Sequence, residues 1–383
     1  MNLDFSEEQI MLRSMARDFL ADKFPKKLVK ELEDSEAGYS QDIWKEMVGL
    51  GWMGLALPEK YGGEGMTYLD LTVLLEEMGR ACIPGPYFST VVLGALPILN
   101  LGNEEQKQKY LPEIATGRSI ITLALYEENG RYDAAGITVK AVKDGNGYAI
   151  SGTKLFVPDA HIADYLICVA RTGDGANPEE GITIFITDAK AQGVKITPLK
   201  TISKEKLCEV SFNNVKVSGD DVLSEPDKGW IGVEKIVQAA ATAKTCDMVG
   251  SFHQVFEMTL QYAKDRVAFG QPIGSFQAIQ HHCANMAMDV NGAMLAAMQA
   301  AWKVDEGLPC AWEVAVAKAW ASQVAPRVIA LAHQIHGAIG TTMDHDLHYY
   351  TRRCKAAEAA FGDVDYYQGI VSEQIRKEAG ISA

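Results

Sequence analysis

The sequence predicts an α+β protein that is mainly helical and has three domains in chain order. Apolar residues recur at helical spacing over residues 1–117 and again over residues 225–383. Between them, residues 118–224 form short β-branched runs that Gly, Asn and Asp clusters separate. We therefore expect an N-terminal α-helical domain, a middle antiparallel β domain and a C-terminal four-helix bundle.

The N-terminal domain opens with a helix-start signal. Ser6 followed by Gln9 is a capping-box pattern, and apolar residues at helical spacing come next. The first helix should therefore begin near Phe5. Further helical stretches are predicted over residues 68–80, 87–101 and 104–117.

The middle and C-terminal domains differ in their hydrophobic period. The tetrad Asp-Gly-Asn-Gly at residues 144–147 predicts a hairpin turn, and the regular spacing of the strands fits a small barrel or sandwich. Long helical segments joined by short loops follow, which is typical of an antiparallel four-helix bundle. These segments are residues 230–267, 275–305, 311–336 and 345–379.

Composition excludes several function classes. The net charge of −14 provides no basic surface for nucleic acid, and no apolar run reaches the length of a membrane span. The seven cysteines are scattered without a C-x-x-C pair, so neither a disulfide framework nor a zinc site is expected. The N-terminal residues lack the pattern of a signal or transit peptide, so we expect a cytoplasmic location.

Residues 261–282 join two long helices and carry polar side chains suited to a nucleotide. The guanidinium of Arg266 presents a planar set of donors that matches phosphate oxygens, and Phe269 offers a flat face for a ring system. Gln271 and Gln277 flank the loop. The alternative is that Arg266 caps its own helix and that Phe269 belongs to the core.

Three motifs in this order resemble the acyl-CoA dehydrogenase family of flavoproteins. They are R-x-x-F-G at residues 266–270, Q-P-I-G-S-F-Q-A-I-Q-H from residue 271, and Q-I-H-G-A-I-G at residues 334–340. The resemblance extends over nearly the whole chain. It implies an acyl-CoA substrate, FAD as cofactor, an electron-transfer flavoprotein as partner, and a homotetramer in which adjacent subunits share each FAD site.

The resemblance also assigns the residues that contact the cofactor. It places residues 123–128 and 154–159 at the flavin ring, and the loops after the long helices at the dinucleotide. The assigned residues are Leu125, Phe156, Pro158, Arg266, Phe269, Gln277, Gln334, Gly337, Asp363 and Asp365.

The catalytic base of the family is missing from its common places. Phe361 stands where many members have the glutamate of a Y-E-G-T element, and Ala240 stands at a second known location. A sub-branch that ends in F-G-D has an acid further along the same helix, and here that position is Asp247. The alternative is that Asp247 has only a structural role, as the ion-pair partner of Lys244 or of an arginine on another helix. Asp363 and Asp365 are the rival bases.

The expected reaction is α,β-dehydrogenation of an acyl-CoA thioester, by removal of the α-proton and transfer of a β-hydride to flavin N5. The alanine-rich helix around residue 240 favours a cyclic or branched acyl group. The alternatives are a non-catalytic FAD-binding subunit of a hetero-oligomer and an oxidase that uses oxygen. Four histidines at residues 333, 336, 345 and 348 include H-x-x-H spacings, but they lack further ligands, so no metal is expected.

Overall fold

The computed structural model describes residues 4–381. This part of the chain divides into two compact units. The first contains residues 4–29, 68–83 and 241–381, and the second contains residues 30–67 and 84–240. Each unit is described by itself.

The predicted fold class is confirmed: helices occupy both ends of the chain and strands occupy the middle. The helices are α1 (Glu7–Lys23), α2 (Lys26–Asp34), α3 (Gln41–Gly49), α4 (Tyr68–Ala81), α5 (Leu96–Leu101), α6 (Glu104–Ala115), α7 (Trp230–Asp265), α8 (Gln277–Asp305), α9 (Ala311–His336), α10 (Leu347–Ala359) and α11 (Val364–Glu378). A π-helical stretch, Phe88–Ala95, leads into α5.

The capping box predicted at the start of the chain is confirmed. The backbone N of Gln9 donates to Ser6 Oγ, and the backbone N of Ser6 donates to Gln9 Oε1, both at 3.1 Å. Helix α1 therefore begins at Glu7. It buries Leu12 and Leu20 on one face, as the helical spacing of its apolar residues predicts.

In the first unit, α4 and α7 approach each other closely through two glycines. A Cβ placed on Gly79 would lie 1.9 Å from the backbone oxygen of Asp247, and one on Gly250 would lie 1.8 Å from the backbone oxygen of Glu76. Ser251 Oγ also donates to the Gly79 carbonyl at 3.0 Å. Because no other residue fits at these two positions, the backbone of α7 at Asp247 is held against α4.

The second unit contains a seven-stranded sheet with the order β1-β4-β2-β3-β7-β6, in which β5 pairs with β4. The strands are β1 (Ile121–Ala124), β2 (Lys140–Asp144), β3 (Gly147–Pro158), β4 (Tyr165–Arg171), β5 (Ile182–Asp188), β6 (Val194–Pro198) and β7 (Leu207–Ser218). The predicted hairpin is present, since Asp144 pairs with Gly147 across β2 and β3.

The sheet is mixed, whereas the sequence predicts only antiparallel pairing. Strand β1 pairs with β4 in parallel, from Ile121 opposite Tyr165 to Ala124 opposite Cys168. A parallel pair requires a long crossover, and here residues 125–164 supply it. Alternation of apolar residues reports which face is buried and carries no information on strand direction.

The C-terminal region also departs from the predicted four segments. The last segment is two helices, because Phe361 (φ 59°) and Gly362 (φ 115°) leave the helical conformation between α10 and α11. The first segment ends at Asp265, two residues earlier than predicted. A two-stranded hairpin, β8 (Val267–Ala268) with β9 (Gln271–Pro272), follows it.

Composition predicts reduced thiols, no membrane span and no metal site. Within residues 4–381 none of the seven cysteines forms a disulfide, and all but Cys283 are buried. In the same part of the chain, no helix is both long enough and apolar enough to cross a membrane. These described residues also contain no group of three or more His, Cys, Asp or Glu side chains arranged to hold a metal ion.

Candidate active site

Charged side chains from several helices meet in the first unit. Lys244 and Asp247 lie one turn apart on α7, with Lys244 Nζ 3.2 Å from Asp247 Oδ2. Lys318 on α9 is fully buried, and the charges of Lys244, Glu358 and Asp363 all shift its pKa. We call these five residues the acid–lysine cluster. The helix that carries the predicted base and the F-G-D segment that carries its rivals therefore both have a charged residue within electrostatic range of Lys318.

Neutral oxygens surround the ammonium of Lys318. Its Nζ donates to the carbonyl oxygens of Ala357 at 3.1 Å, Glu358 at 2.9 Å and Gly362 at 2.9 Å. It also contacts Ser322 Oγ at 3.0 Å. The last turn of α10 and the F-G-D turn, residues 361–363, are thus tied to a single side chain of α9.

The environment of Lys318 disfavours its charge. The pKa of Lys318 is lowered to about 7, chiefly by burial and then by the neighbouring charge of Lys244, while Asp363 and Glu358 act in the opposite direction. The cluster therefore contains a lysine whose charged form is destabilised by its surroundings and depends on its hydrogen bonds. Sequence reasoning missed this residue, since its only signal is one charged side chain inside an alanine-rich apolar run.

Asp247 lies at the edge of this cluster. Its side chain is 29% exposed, and its contact with Lys244 is the pairing that sequence reasoning left open. The charge of Asp247 also reaches Cys354 on α10, whose pKa is raised first by burial and further by this carboxylate. The packing of Gly79 against its backbone fixes its position. Asp247 is thus held in place with part of its carboxylate open, and its role as base stays a prediction.

The F-G-D turn is held by hydrogen bonds at each of its residues. Tyr367 Oη donates to the Phe361 carbonyl at 2.6 Å, and the Gly362 carbonyl accepts from Lys318. The Asp363 carboxylate accepts from the backbone N of Tyr366 at 2.9 Å, so it is the N-cap of α11. Asp363 therefore has a structural role in addition to any contact with a cofactor.

Phe269 lies at the tip of the β8–β9 hairpin. Phe269 (φ 54°) and Gly270 (φ 81°) both have positive φ, as a tight two-residue hairpin turn requires. The Phe269 side chain is 95% exposed, which excludes the alternative that it belongs to the core. Because the ring is exposed, it is available to a partner. The left-handed backbone conformation is unfavourable for a phenylalanine.

The predicted polar contacts are also at the surface. Arg266, Gln277, Gln334 and Asp365 are all exposed. The guanidinium of Arg266 follows the end of α7, where it can serve a ligand outside the helix. These four side chains are therefore accessible to a ligand.

The last residue of α9, His336, has a buried polar atom that lacks a partner among the described residues. His336 is 4% exposed, its Nδ1 contacts the Ala332 carbonyl at 2.8 Å, and its Nε2 makes no hydrogen bond. Its ring stacks on Tyr262 with 4.6 Å between centroids. The next residue, Gly337, has φ 64° and open space beside it. The predicted contact at Gly337 thus adjoins an unsatisfied donor or acceptor.

In the second unit, the two segments predicted to lie at the flavin ring are joined to each other. Lys154 Nζ donates to the Leu125 carbonyl at 2.9 Å and to Glu127 Oε1 at 2.7 Å. The Leu155 backbone N donates to the Tyr126 carbonyl at 2.8 Å. The Lys154 and Glu127 side chains are 0% and 3% exposed, so this is a buried ion pair that sequence reasoning missed.

Hydrogen bonds keep Glu127 ionised inside the unit. Burial alone would raise its pKa, but the charge of Lys154 and the bonds from Thr138 and the Val139 backbone hold the pKa of Glu127 below its usual value. The pKa of Lys154 is lowered, because burial outweighs the attraction of Glu127. The charged form of each residue therefore depends on the presence of the other. The ion pair also fixes the path of residues 125–127.

Phe156 and Pro158 lie at an irregularity of β3. The register against β7 shifts between Lys154 and Val157, and Phe156 has φ 56° there. This bulge leaves the Phe156 ring 53% exposed. Pro158 is half-buried and pairs with Leu207 at the end of the ladder.

These residues suit FAD in their chemistry. The exposed rings of Phe156 and Phe269 offer flat apolar faces, and the accessible guanidinium of Arg266 offers paired donors for phosphate oxygens. The Nε2 of His336, which has no hydrogen-bond partner among the described residues, could bond a polar ligand atom.

Comparison with known proteins decides the family. A probable acyl-CoA dehydrogenase of Bacillus subtilis, YngJ, is 32% identical over 98% of this chain and 100% of its own length. The chain belongs to the acyl-CoA dehydrogenase family. The N-terminal, middle and C-terminal domains of acyl-CoA dehydrogenases match residues 6–118, 122–215 and 227–375.

Two further relatives of this acyl-CoA dehydrogenase family member are informative. The caffeyl-CoA reductase-Etf complex subunit CarC of Acetobacterium woodii is 30% identical over 98% of this chain and 100% of that protein. A solved structure of a variant of the steroid ACAD Tcur3481-Tcur3483 has a TM-score of 0.88 and 30% identity, covering 98% of this chain and 99% of that chain.

Family membership confirms three predictions. The protein is an oxidoreductase that acts on acyl-CoA, it is a flavoprotein, and FAD is its cofactor. The residues that contact FAD and the residue that acts as base stay predictions.

Proposed function

We propose that this acyl-CoA dehydrogenase family member is an FAD-dependent α,β-dehydrogenase of the F-G-D sub-branch, with Asp247 as the proton-abstracting base. The observation that carries the proposal is the acid–lysine cluster. Asp247 is a partly open carboxylate at the edge of this largely buried site, and the F-G-D turn belongs to the same cluster. Phe361, which replaces the common glutamate, cannot take a proton.

FAD would contact Leu125, Phe156 and Pro158 of the second unit, and residues of the C-terminal helices and their loops would contact FAD as well. Those residues are Arg266, Phe269, Gln277, Gln334, Gly337, Asp363 and Asp365. When bound, FAD supplies an acceptor for the hydride of the β carbon. The task of the chain is to hold the α carbon beside the Asp247 carboxylate and to keep water away from the buried cluster.

The purified protein tests this reaction directly. We expect a yellow protein whose visible flavin absorbance is bleached when an acyl-CoA is added without oxygen. A yellow protein that no acyl-CoA bleaches would favour the rival, a non-catalytic FAD-binding subunit of a hetero-oligomeric enzyme. Steady peroxide production during turnover in air would identify an oxidase.

A cyclic or branched acyl group is the substrate class that we propose. The support for it is the similarity to the Tcur3481-Tcur3483 structure, which is named as a steroid ACAD, whereas the small side chains of α7 near Ala240 are only the sequence feature that suggests it. Ala240 and Ala241 are fully buried, so they permit close packing and do not by themselves form a pocket. Alicyclic thioesters should bleach the flavin faster than straight-chain ones, and the reverse order would exclude this class.

A second candidate is the opposite direction of the same chemistry. The similarity to CarC, which is named as a reductase in an Etf complex, favours reduction of an α,β-double bond. If this candidate is correct, an enoyl-CoA should recolour the chemically reduced protein much faster than an acyl-CoA bleaches the oxidised one.

In both directions we propose an electron-transfer flavoprotein as the electron partner. A cytoplasmic location remains a prediction.

We also propose a homotetramer whose adjacent subunits share each FAD. Arg266 and the Phe269 ring face outward, which suits contacts to a neighbouring subunit. Large apolar side chains of the first unit are exposed as well, including Val267, Met288 and Met343. Such exposed groups are typical of subunit interfaces.

Sedimentation of the yellow protein should give four times the 41.7 kDa of one chain. Arg266→Ala should weaken FAD binding about tenfold to a hundredfold, since a hydrogen bond to a charged group contributes about 1.5–3 kcal/mol. Lys264→Ala, which changes a nearby exposed cation, should leave FAD affinity unchanged. A monomer that retains its full FAD content would contradict the shared site.

A further inference from the structure

Among the described residues, 4–381, Lys318 has no direct carboxylate partner although it is buried. The four oxygens around its Nζ are neutral, and three of them are backbone carbonyls. Taking an ammonium group out of water is expensive, and hydrogen bonds must offset that cost. A methionine at this position would pack in α9 without the cost of burying a charge. A lysine is therefore needed here for its bonds to the carbonyls.

The carbonyls come from the end of α10 and from the turn that follows it. Ala357 and Glu358 lie in the last turn of α10, where the helix dipole favours a cation. The Ala357 carbonyl also accepts from the backbone N of Ala360 at 3.2 Å, and the Glu358 carbonyl from Ser322 Oγ at 3.3 Å. The Gly362 carbonyl belongs to the F-G-D turn, which departs from helical geometry at Phe361. One side chain therefore fixes both the end of α10 and the turn that follows.

The same side chain is linked to the predicted base. Lys244, which contacts Asp247 at 3.2 Å, and Asp363, the N-cap of α11, both act electrostatically on Lys318. The ammonium thus contacts the F-G-D turn through the Gly362 carbonyl and lies within electrostatic range of Lys244 on α7. A displacement of the turn would change the surroundings of the Asp247 carboxylate.

We infer that Lys318 is a positioning residue for the dehydrogenation, which holds the F-G-D turn beside the Asp247 part of the cluster by binding the carbonyls of Ala357, Glu358 and Gly362. This inference rests on the proposed function. It assigns the buried lysine to the geometry of the reaction, whereas a purely structural lysine would serve only the stability of the helices.

Lys318→Met in the FAD-loaded protein tests the inference, because it keeps the length of the side chain and removes its donors. Amide hydrogen exchange in residues 357–367 should rise about tenfold or more, while exchange elsewhere in residues 241–356 stays unchanged. The limiting rate of flavin reduction by acyl-CoA should fall about tenfold to a hundredfold, with the half-saturating concentration changed less than about threefold.

Two further variants keep the inference open to contradiction if Lys318→Met does not fold. Ser322→Ala removes one contact of the ammonium and the bond from Ser322 Oγ to the Glu358 carbonyl, and it leaves the three bonds from Lys318 to carbonyls, so it should show the same local effects at reduced size. Lys264→Met, an exposed lysine on α7, should behave like the parent.

The outcomes separate the alternatives. If exchange rises throughout residues 241–381, or if the turn is unaffected, Lys318 is not a positioning residue. An unchanged limiting rate with a loosened turn would also overturn the inference. If no acyl-CoA thioester reduces the flavin of the parent while the turn still loosens in Lys318→Met, the proposed function fails. The control of the turn by Lys318 then stands.

Discussion

Glu127→Gln should destabilise the protein by about 3–5 kcal/mol, because it leaves the fully buried ammonium of Lys154 without its counter-charge. The carboxylate of Glu127 also accepts from Thr138 and from the Val139 backbone, and the amide nitrogen of Gln cannot accept the bonds made to the oxygen that it replaces. Equilibrium unfolding in urea measures the change. The cost should be accompanied by loss of FAD, because the pair fixes residues 125–127 at the predicted flavin contact.

Two controls make this prediction specific. Removing the exposed pair Lys228–Glu225, whose side chains are 69% and 68% exposed, should change the free energy of unfolding by less than about 1 kcal/mol. The double variant Glu127→Leu with Lys154→Met should recover much of the loss, because no buried charge is left unpaired. A loss in Glu127→Gln no larger than that in the surface control would contradict the account of the pair.

The pH dependence of the pair follows from the lowered pKa of Glu127. The carboxylate is ionised in the unfolded chain above about pH 4.3, so its contribution to stability is complete above that pH. The contribution is lost as the pH falls through the lower pKa of the folded state. The difference in stability between the parent and Glu127→Gln should therefore shrink in acid.

Asp247→Asn should slow flavin reduction by about a hundredfold to ten-thousandfold, the usual range for loss of a general base, while bound FAD and substrate affinity are kept. This corresponds to about 3–5 kcal/mol of barrier. The amide preserves the size of the side chain and removes its basicity. Rapid mixing with acyl-CoA in the absence of oxygen measures the rate.

Companion variants separate the possible roles of Asp247. Asn is as good an N-cap as Asp, so Asp363→Asn removes a charge from the F-G-D turn and keeps the start of α11. It should therefore reduce its flavin far faster than Asp247→Asn does, as should Asp365→Asn. If Asp247 serves only as the partner of Lys244, then Lys244→Met should be as slow as Asp247→Asn, and the assignment of the base is wrong.

Local signals in the sequence predicted much of the fold. The capping box at Ser6 and Gln9 and the turn at residues 144–147 depend on neighbouring residues alone, and both are present. The break between α10 and α11 was missed, because its cause is a phenylalanine in the left-handed conformation. Phe361 rarely adopts that conformation unless tertiary contacts, here with Tyr367, impose it.

The candidate site was less predictable, because its parts are distant in sequence. Lys154 and Glu127 are 27 residues apart, and Lys318 meets Gly362 across 44 residues. Spacing along one helix or strand does not report such contacts. The close approach at Gly79 and Gly250 is also invisible in the sequence, where a glycine inside a helix only suggests lower helix stability.

The most direct measurement of the central claim is exchange of substrate α-hydrogens with solvent. A thioester with α-hydrogens and no β-hydrogen, such as phenylacetyl-CoA, cannot deliver a hydride, so proton abstraction is observed alone. In D2O the FAD-loaded parent should incorporate deuterium at the α carbon, and Asp247→Asn should do so at least about a hundredfold more slowly. Equal exchange by the two proteins, with exchange lost in Asp363→Asn, would contradict the assignment of Asp247 as the base.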